Sequence, residues 1–247
     1  MNKNDHKVLK DVIFLTGCIN PAGMSFTMLQ DPETRKGQYI DAIRFYLNAT
    51  SLPVLFVENS GVDISDVFTN DIKQGRLEII SFDGNSYDKR LGKGLGEMLI
   101  IEKALEKSVI LRDADFVFKI TGRYQLLNIK AFLSQHQGAR QVEVMVDLLH
   151  QLQYSDSRFW GSSPRFLREI LLKYKDKIND SDNYYFEHAL CYAAHEAISK
   201  RYVYSSLKYK PRFAGMQATD NKTYNPSLIS WFIPNLKQLI RHKSFSS

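Results

Sequence analysis

Cysteine is nearly absent from this 247-residue chain, Cys18 and Cys191 being the only two. Neither sits in a pair with metal-site spacing, and two thiols make no disulfide framework. A reduced, cytoplasmic setting is the expectation. Long apolar runs are missing as well. Met1–Lys10 is polar and charged, and the run after it, Val12–Leu15, is short. No signal peptide and no transmembrane helix are therefore expected. His6, His136, His150, His195 and His242 form no ligand spacing with acids or cysteines, so no metal site is expected. No Gly-x-Gly-x-x-Gly follows the first apolar run, which removes the dinucleotide fingerprint. No Gly-Lys-Ser/Thr ending marks a Walker loop, and no repeat or low-complexity stretch is present.

What is present is a globular composition, 44% hydrophobic and 24% charged, enough for one α/β domain with a tail. The charge is uneven. From Lys200 onward there are nine Lys/Arg against one acid, Asp220, while the first 199 residues hold 24 bases and 26 acids. A basic segment on a near-neutral body suggests an anionic partner. A nucleotide diphosphate, an anionic membrane surface and nucleic acid are the candidates.

Asp11–Cys18, Leu52–Val57, Leu77–Phe82 and Phe116–Ile120 read as strands. Between them, Asp31 and Pro32 can open a helix with Ile40, Ile43 and Leu47 on one face. Leu95–Ser108 is a second helix, with Met98, Ile101 and Leu105 aligned. This alternation predicts a mostly parallel sheet flanked by helices. Further on, Val142–Leu149 reads as a strand, Pro164–Tyr174 and Asp182–Ser199 as helices, and Tyr202–Tyr209 as strand or extended chain.

The stretch Asp113–Tyr124 organises the chain. Its apolar run through Phe116, Phe118 and Ile120, with Lys119 inside it, breaks at Thr121-Gly122-Arg123. An acid, an apolar run, a lysine and a polar turn at mid-chain resemble the central strand of GT-A type glycosyltransferases. That family usually carries Asp-x-Asp at this turn to hold a metal on the donor diphosphate; here an arginine stands in the triplet. The resemblance implies a Rossmann-like sheet, a nucleotide-binding half over about 11–125 and an acceptor half over 126–200. Together these make one catalytic domain, 1–200, followed by a basic C-terminal extension, 201–247.

Candidate donor-binding residues lie at the predicted strand ends. Thr16, Gly17 and Asn20 belong to the loop after the first strand, where small residues allow close backbone approach. Glu58 and Asn59 end the second strand, where an acid can accept from a ribose hydroxyl; an ordinary capped turn is the alternative. Lys93 sits among three glycines before a helix, a place that can cradle phosphate or be a solvated loop. Lys119, Thr121 and Gly122 complete the set, and Arg123, suited to bidentate phosphate contact, is the candidate catalytic cation for the leaving diphosphate. On the acceptor side the resemblance points to Asp156, Arg158 and Trp160, with core packing the alternative for Trp160. It also implies a general base at the start of a late helix: Glu187, with His188 in reserve.

The expectation is a metal-independent, inverting glycosyltransferase with a nucleotide-sugar donor and a saccharide or lipid-linked saccharide acceptor, working in capsule, O-antigen or lipopolysaccharide assembly. No cofactor is expected. The rivals are a sugar-phosphate nucleotidyltransferase and a nucleic-acid-binding module using the basic, aromatic tail. In that tail, Pro234 fits the first position of a helix whose Leu236, Leu239 and Ile240 share a face. Such a helix suits an anionic membrane surface or, alternatively, closes the core.

Overall fold

The computed structural model describes residues 10–24, 27–139, 141–216, 223–224 and 227–246. The amino-terminal stretch before Lys10, and Asp220 and Lys222 of the basic segment, lie outside the described residues. In chain order the elements are β1 (Asp11–Gly17), α1 (Pro32–Ala49), β2 (Val54–Glu58), α2 (Thr69–Lys73), β3 (Leu77–Ser81), α3 (Lys93–Lys107), α4 (Val109–Arg112), β4 (Phe116–Thr121), β5 (Gln125–Leu126) and α5 (Ile129–Gly138). Then come β6 (Val144–Met145), β7 (Leu148–Leu149), β8 (Tyr154–Ser155), β9 (Phe159–Ser162), α6 (Pro164–Glu169), α7 (Phe186–Ser199), β10 (Tyr204–Ser205), β11 (Phe213–Met216), β12 (Thr223–Tyr224) and α8 (Leu228–Ser246).

The architecture is α/β. Seven strands form a central sheet in the order β10-β6-β9-β4-β1-β2-β3. Its pairs are parallel except those of β9, which runs antiparallel to β4 and β6. β1 shows why its sequence is apolar without alternation. Successive side chains point to opposite faces. Val12 and Phe14 join a core with α3 and α7, while Ile13 and Leu15 join one with α1 and α5. A strand buried on both faces has no polar side to present. β4 follows the same rule, with Lys119 as its buried exception.

α1 starts as predicted: Thr34 N donates to Asp31 Oδ2 at 2.8 Å and Pro32 takes the first turn. Its buried face is rotated from the predicted one. Tyr39, Ala42, Ile43 and Tyr46 fill it, and Ile40 and Leu47 lie at its edge. Tyr46 can be buried because its hydroxyl donates to Tyr124 O at 2.7 Å and accepts from Leu126 N at 2.8 Å.

The second half departs further. The strand expected over Val142–Leu149 is split into β6 and β7 around Asp147, which is buried and accepts from Gln238 Nε2 at 2.9 Å and Arg241 at 2.7 Å. Trp160 is not an acceptor-loop residue. It faces inward from β9, fully buried between Phe166 and Phe186. The boundary at residue 200 also fails, because β10 pairs with β6, β11 pairs with β5, and Leu207 and Phe213 are core residues. α8 begins well before Pro234. Ser227 caps it, accepting from Ser230 N at 3.1 Å, and Pro234 lies inside the helix. Among the described residues, no helix is long and apolar enough to cross a membrane.

Candidate active-site cleft

In open α/β sheets the ligand crevice lies beyond the carboxyl ends of the strands, where the strand order reverses. Here β1, β2 and β3 step outward in one direction and β4 returns to the other side of β1. A cleft of about 620 Å³ opens at that place, bordered by Thr16 and Gly17 of β1 and by Thr121 and Arg123 after β4.

The two strand ends touch closely. A Cβ on Gly17 would stand 2.5 Å from the Phe56 ring, and one on Gly122 would stand 2.6 Å from Thr16 O. Gly122 is therefore a packing residue and does not line the cleft. Arg35, buried at the start of α1, ties down the loop after β1 by donating to Cys18 O at 2.5 Å and Leu29 O at 3.2 Å. Burial pushes the Cys18 thiol up to about 11, against the opposing charge of Arg35, so it stays protonated near neutrality.

Glu58 is fully buried and accepts from Ile19 N at 2.8 Å, Ser60 N at 2.9 Å and Val62 N at 3.1 Å. Its oxygens are spent on two loops, so the ribose-binding expectation is corrected. Asn20 also stays outside the cleft lining, its Oδ1 accepting from Ala22 N at 3.1 Å. Asn59 does line it, and its buried Oδ1 has no hydrogen-bond partner. A buried amide oxygen left in that state is available to a ligand donor.

Lys119 is buried under the cleft floor and does not line it. Its Nζ pairs with Glu97 and donates to Ser157 O at 2.8 Å. A buried ammonium needs such partners, so its predicted contact with the donor gives way to an internal one. Ser157 Oγ in turn donates to Glu187 Oε1 at 2.7 Å, and Thr16 Oγ1 donates to Glu97 Oε1 at 3.0 Å. One chain of contacts thus runs from the end of β1 to the first turn of α7.

Arg123 lines the cleft with Nη1 donating to Gln38 Oε1 at 2.9 Å. Lys93 lines it from the first turn of α3. The phosphate cradle expected at that glycine-rich turn is occupied by a carboxylate: a Cβ on Gly92 would stand 2.0 Å from Asp180 Oδ2. Burial chiefly, and then the charge of Glu187, hold the Asp180 carboxyl above its ordinary range, against Lys93 and the Gly94 and Lys93 amides.

Glu187 lines the cleft on the far side; His188 does not. His188 Nδ1 accepts from Tyr185 N at 3.2 Å, and its ring packs among Tyr154, Tyr184 and Tyr185. The reserve base is thus a helix cap. Asp156 and Arg158 both line the cleft and grip each other bidentately, Nε to Oδ1 at 2.9 Å and Nη2 to Oδ2 at 2.5 Å. Burial would raise the Asp156 carboxyl, but the Arg158 hydrogen bonds and charge outweigh it and hold it low. The mouth is completed by the β7–β8 turn, where His150, Gln151 and Leu152 all have left-handed φ of 47°, 58° and 66°. The Leu152 carbonyl is fixed to α7, with Cys191 Sγ donating at 3.2 Å and His195 Nε2 at 2.8 Å.

Sequence reasoning passed over Glu97, Asp180, Arg35 and His150. No local motif marks them, because their partners lie far away in the chain. Among the described residues, no group of three or more His, Cys, Asp or Glu side chains is placed to hold a metal ion.

No family model matches the chain. No curated protein matches it either. Solved structures do overlap it. The mannosyltransferase Ktr4p from S. cerevisiae is 13% identical with a TM-score of 0.48, covering 95% of this chain and 81% of its own. A Desulfovibrio desulfuricans protein assigned as a nucleotide-diphospho-sugar transferase is 10% identical at 0.45, covering 81% and 80%. A cytidylyltransferase from Leptospira borgpetersenii is 11% identical at 0.41, covering 91% and 84%. These neighbours divide between glycosyl and nucleotidyl transfer, and overlap at this level carries no argument about which chemistry the cleft performs.

Proposed function

We propose that the cleft transfers a sugar from a nucleotide-sugar donor to a saccharide hydroxyl, with inversion and without a metal. The observation that carries this reading is Glu187. It is a carboxylate at the first turn of α7, oriented by Ser157, in the same cleft as Arg123 and Lys93. Those are the two charges such a displacement needs at opposite ends.

The acceptor oxygen attacks the anomeric carbon, its proton passes to Glu187, and the bond from that carbon to the phosphate oxygen breaks. The nucleotide leaves with the electron pair. Its negative charge is met by Arg123 and Lys93, fixed cations in place of a metal. Asn59 Oδ1 accepts from the nucleotide, and Asp156 and Arg158 border the acceptor. A lipid-linked saccharide of bacterial capsule, O-antigen or lipopolysaccharide assembly is the acceptor class in this reading.

Thermal-shift measurements with UDP, GDP, CMP and dTDP test it first, since a ligand of the native state raises the melting temperature. The nucleotide that binds then selects sugar donors for a transfer assay. Release of the nucleotide with glycosylated product supports the reading. Release of pyrophosphate from a nucleoside triphosphate and a sugar phosphate overturns it in favour of nucleotidyl transfer.

A further inference from the structure

We propose that the outer face of α8 docks on an anionic lipid bilayer. The helix is mounted with its polarity reversed. An amphipathic helix on a globular protein ordinarily turns its apolar stripe to the core. Here the inward side is polar. Asn235 Oδ1 accepts from Lys210 N at 3.0 Å, Gln238 Nε2 donates to Leu207 O at 2.6 Å, and Arg241 pairs with Asp147 at 2.7 Å. Trp231 joins them through its indole N–H, which donates to Lys210 O at 2.9 Å.

At the helical repeat, the residues nearly opposite are Phe232, Ile233 and Leu236. They are exposed at 63%, 65% and 50%, and Ile240 beside them at 61%. Single exposed apolar residues are common, but a contiguous stripe of this kind marks an interaction surface.

Charge selects the occupant. α8 contains no Asp or Glu, and its Lys237 and Lys243 are exposed. Two copies of this face would bring cations together with no acid on either helix to pair them. Anionic headgroups supply the missing charge, and the acyl boundary takes the apolar stripe. The helix also adjoins the cleft. Lys210, whose backbone holds both Asn235 and Trp231, also lines the cleft. A bilayer under α8 would therefore lie beside the cleft mouth. That last consequence rests on the transfer reading; the docking itself does not.

The test is flotation of the full chain with phosphatidylcholine vesicles, with and without phosphatidylglycerol. The wild type is expected to float with the anionic vesicles, and less at high salt. Replacing Phe232, Ile233 and Leu236 together by Ser should lower partitioning by roughly 100-fold. Lys237→Gln and Lys243→Gln should each lower it by about 5-fold. The triple variant should keep the wild-type melting temperature, since it changes exposed side chains. No flotation of the wild type, or equal flotation of wild type and triple variant, overturns the proposal. So does a dimer in sedimentation equilibrium that the triple variant dissolves, which would assign the face to self-association. No step needs a nucleotide or a sugar, so failure here and failure of the transfer reading are read separately.

Discussion

The wall of the cleft built by β1, β2 and β4 contrasts with the wall built by β7, β8 and α7. In the first wall, most of the buried charged groups are committed to the protein itself, while Arg123 borders the cleft. Glu58 holds the loops after β1 and β2, Arg35 also holds the loop after β1, and Lys119 holds Glu97 and Ser157. In the second wall, Glu187 has one hydrogen bond from a serine and Asp180 is a carboxyl held above its usual range beside it. Position at a strand end is thus a poor guide to which charge meets a ligand. A buried charge at such a position is first a structural problem to be solved.

The sharpest way to break this contrast is Glu187→Gln. Turnover should fall by about 10²–10⁴-fold, the usual worth of a general base, with nucleotide-induced thermal shifts retained. A fully active variant would move the base elsewhere on the second wall, with Asp180 the next to examine.

Lys119→Met probes the first wall. Removing one member of a buried pair leaves the other uncompensated, so unfolding in denaturant should show a loss of about 3–5 kcal/mol. The double change Lys119→Met with Glu97→Gln should recover part of it. A stable single variant that has lost nucleotide binding would instead make Lys119 a ligand group.

The Asp156–Arg158 pair gives a smaller, pH-dependent effect. The Asp156 carboxyl is held low in the folded protein. Its contribution is therefore present above the unfolded carboxylate value of about 3.9 and is lost as pH falls through the lower folded value. Arg158→Gln leaves burial to dominate and reverses that sign. The stability difference between wild type and variant should be near zero in strong acid and open as pH rises through the carboxylate range. A difference independent of pH would show that Arg158 acts by packing on Phe213, over which its guanidinium lies at 5.0 Å.

The smallest expected effect is none. Chelation with EDTA should leave transfer unchanged, because Arg123 stands in the turn where an acidic triplet would bind a metal. Loss of activity that manganese or magnesium restores would end the metal-free reading.

Much of the fold was legible from local signals. The strands β1 to β4 announced themselves as apolar runs bounded by turns, and Asp31-Pro32 marked the start of α1. Of the site, Thr16, Gly17, Asn59, Lys93, Thr121, Arg123, Asp156, Arg158 and Glu187 were singled out and do line the cleft. The failures have two causes. Glu58, Lys119 and His188 are polar residues near the cleft whose partners turn them away from it, and Trp160 lies on a four-residue strand too short to show its alternation. The short strands β6 and β10 exist by pairing with partners distant in the chain, which no window of neighbouring residues contains, and β7 is a two-residue strand in a local hairpin with β8.

The turn over His150–Leu152 has a consequence for anyone wishing to reshape the cleft mouth. Three successive non-glycine residues in left-handed backbone each cost about 1–2 kcal/mol relative to a relaxed conformation. Gln151 and Leu152 point outward at the rim, so glycine can replace either without removing core packing, while relieving that cost. The rim therefore holds a reserve of stability. A library that first installs glycine there can afterwards tolerate destabilising changes at Tyr154, Asp156 or His150, which makes this hairpin the natural place to begin altering the cleft mouth.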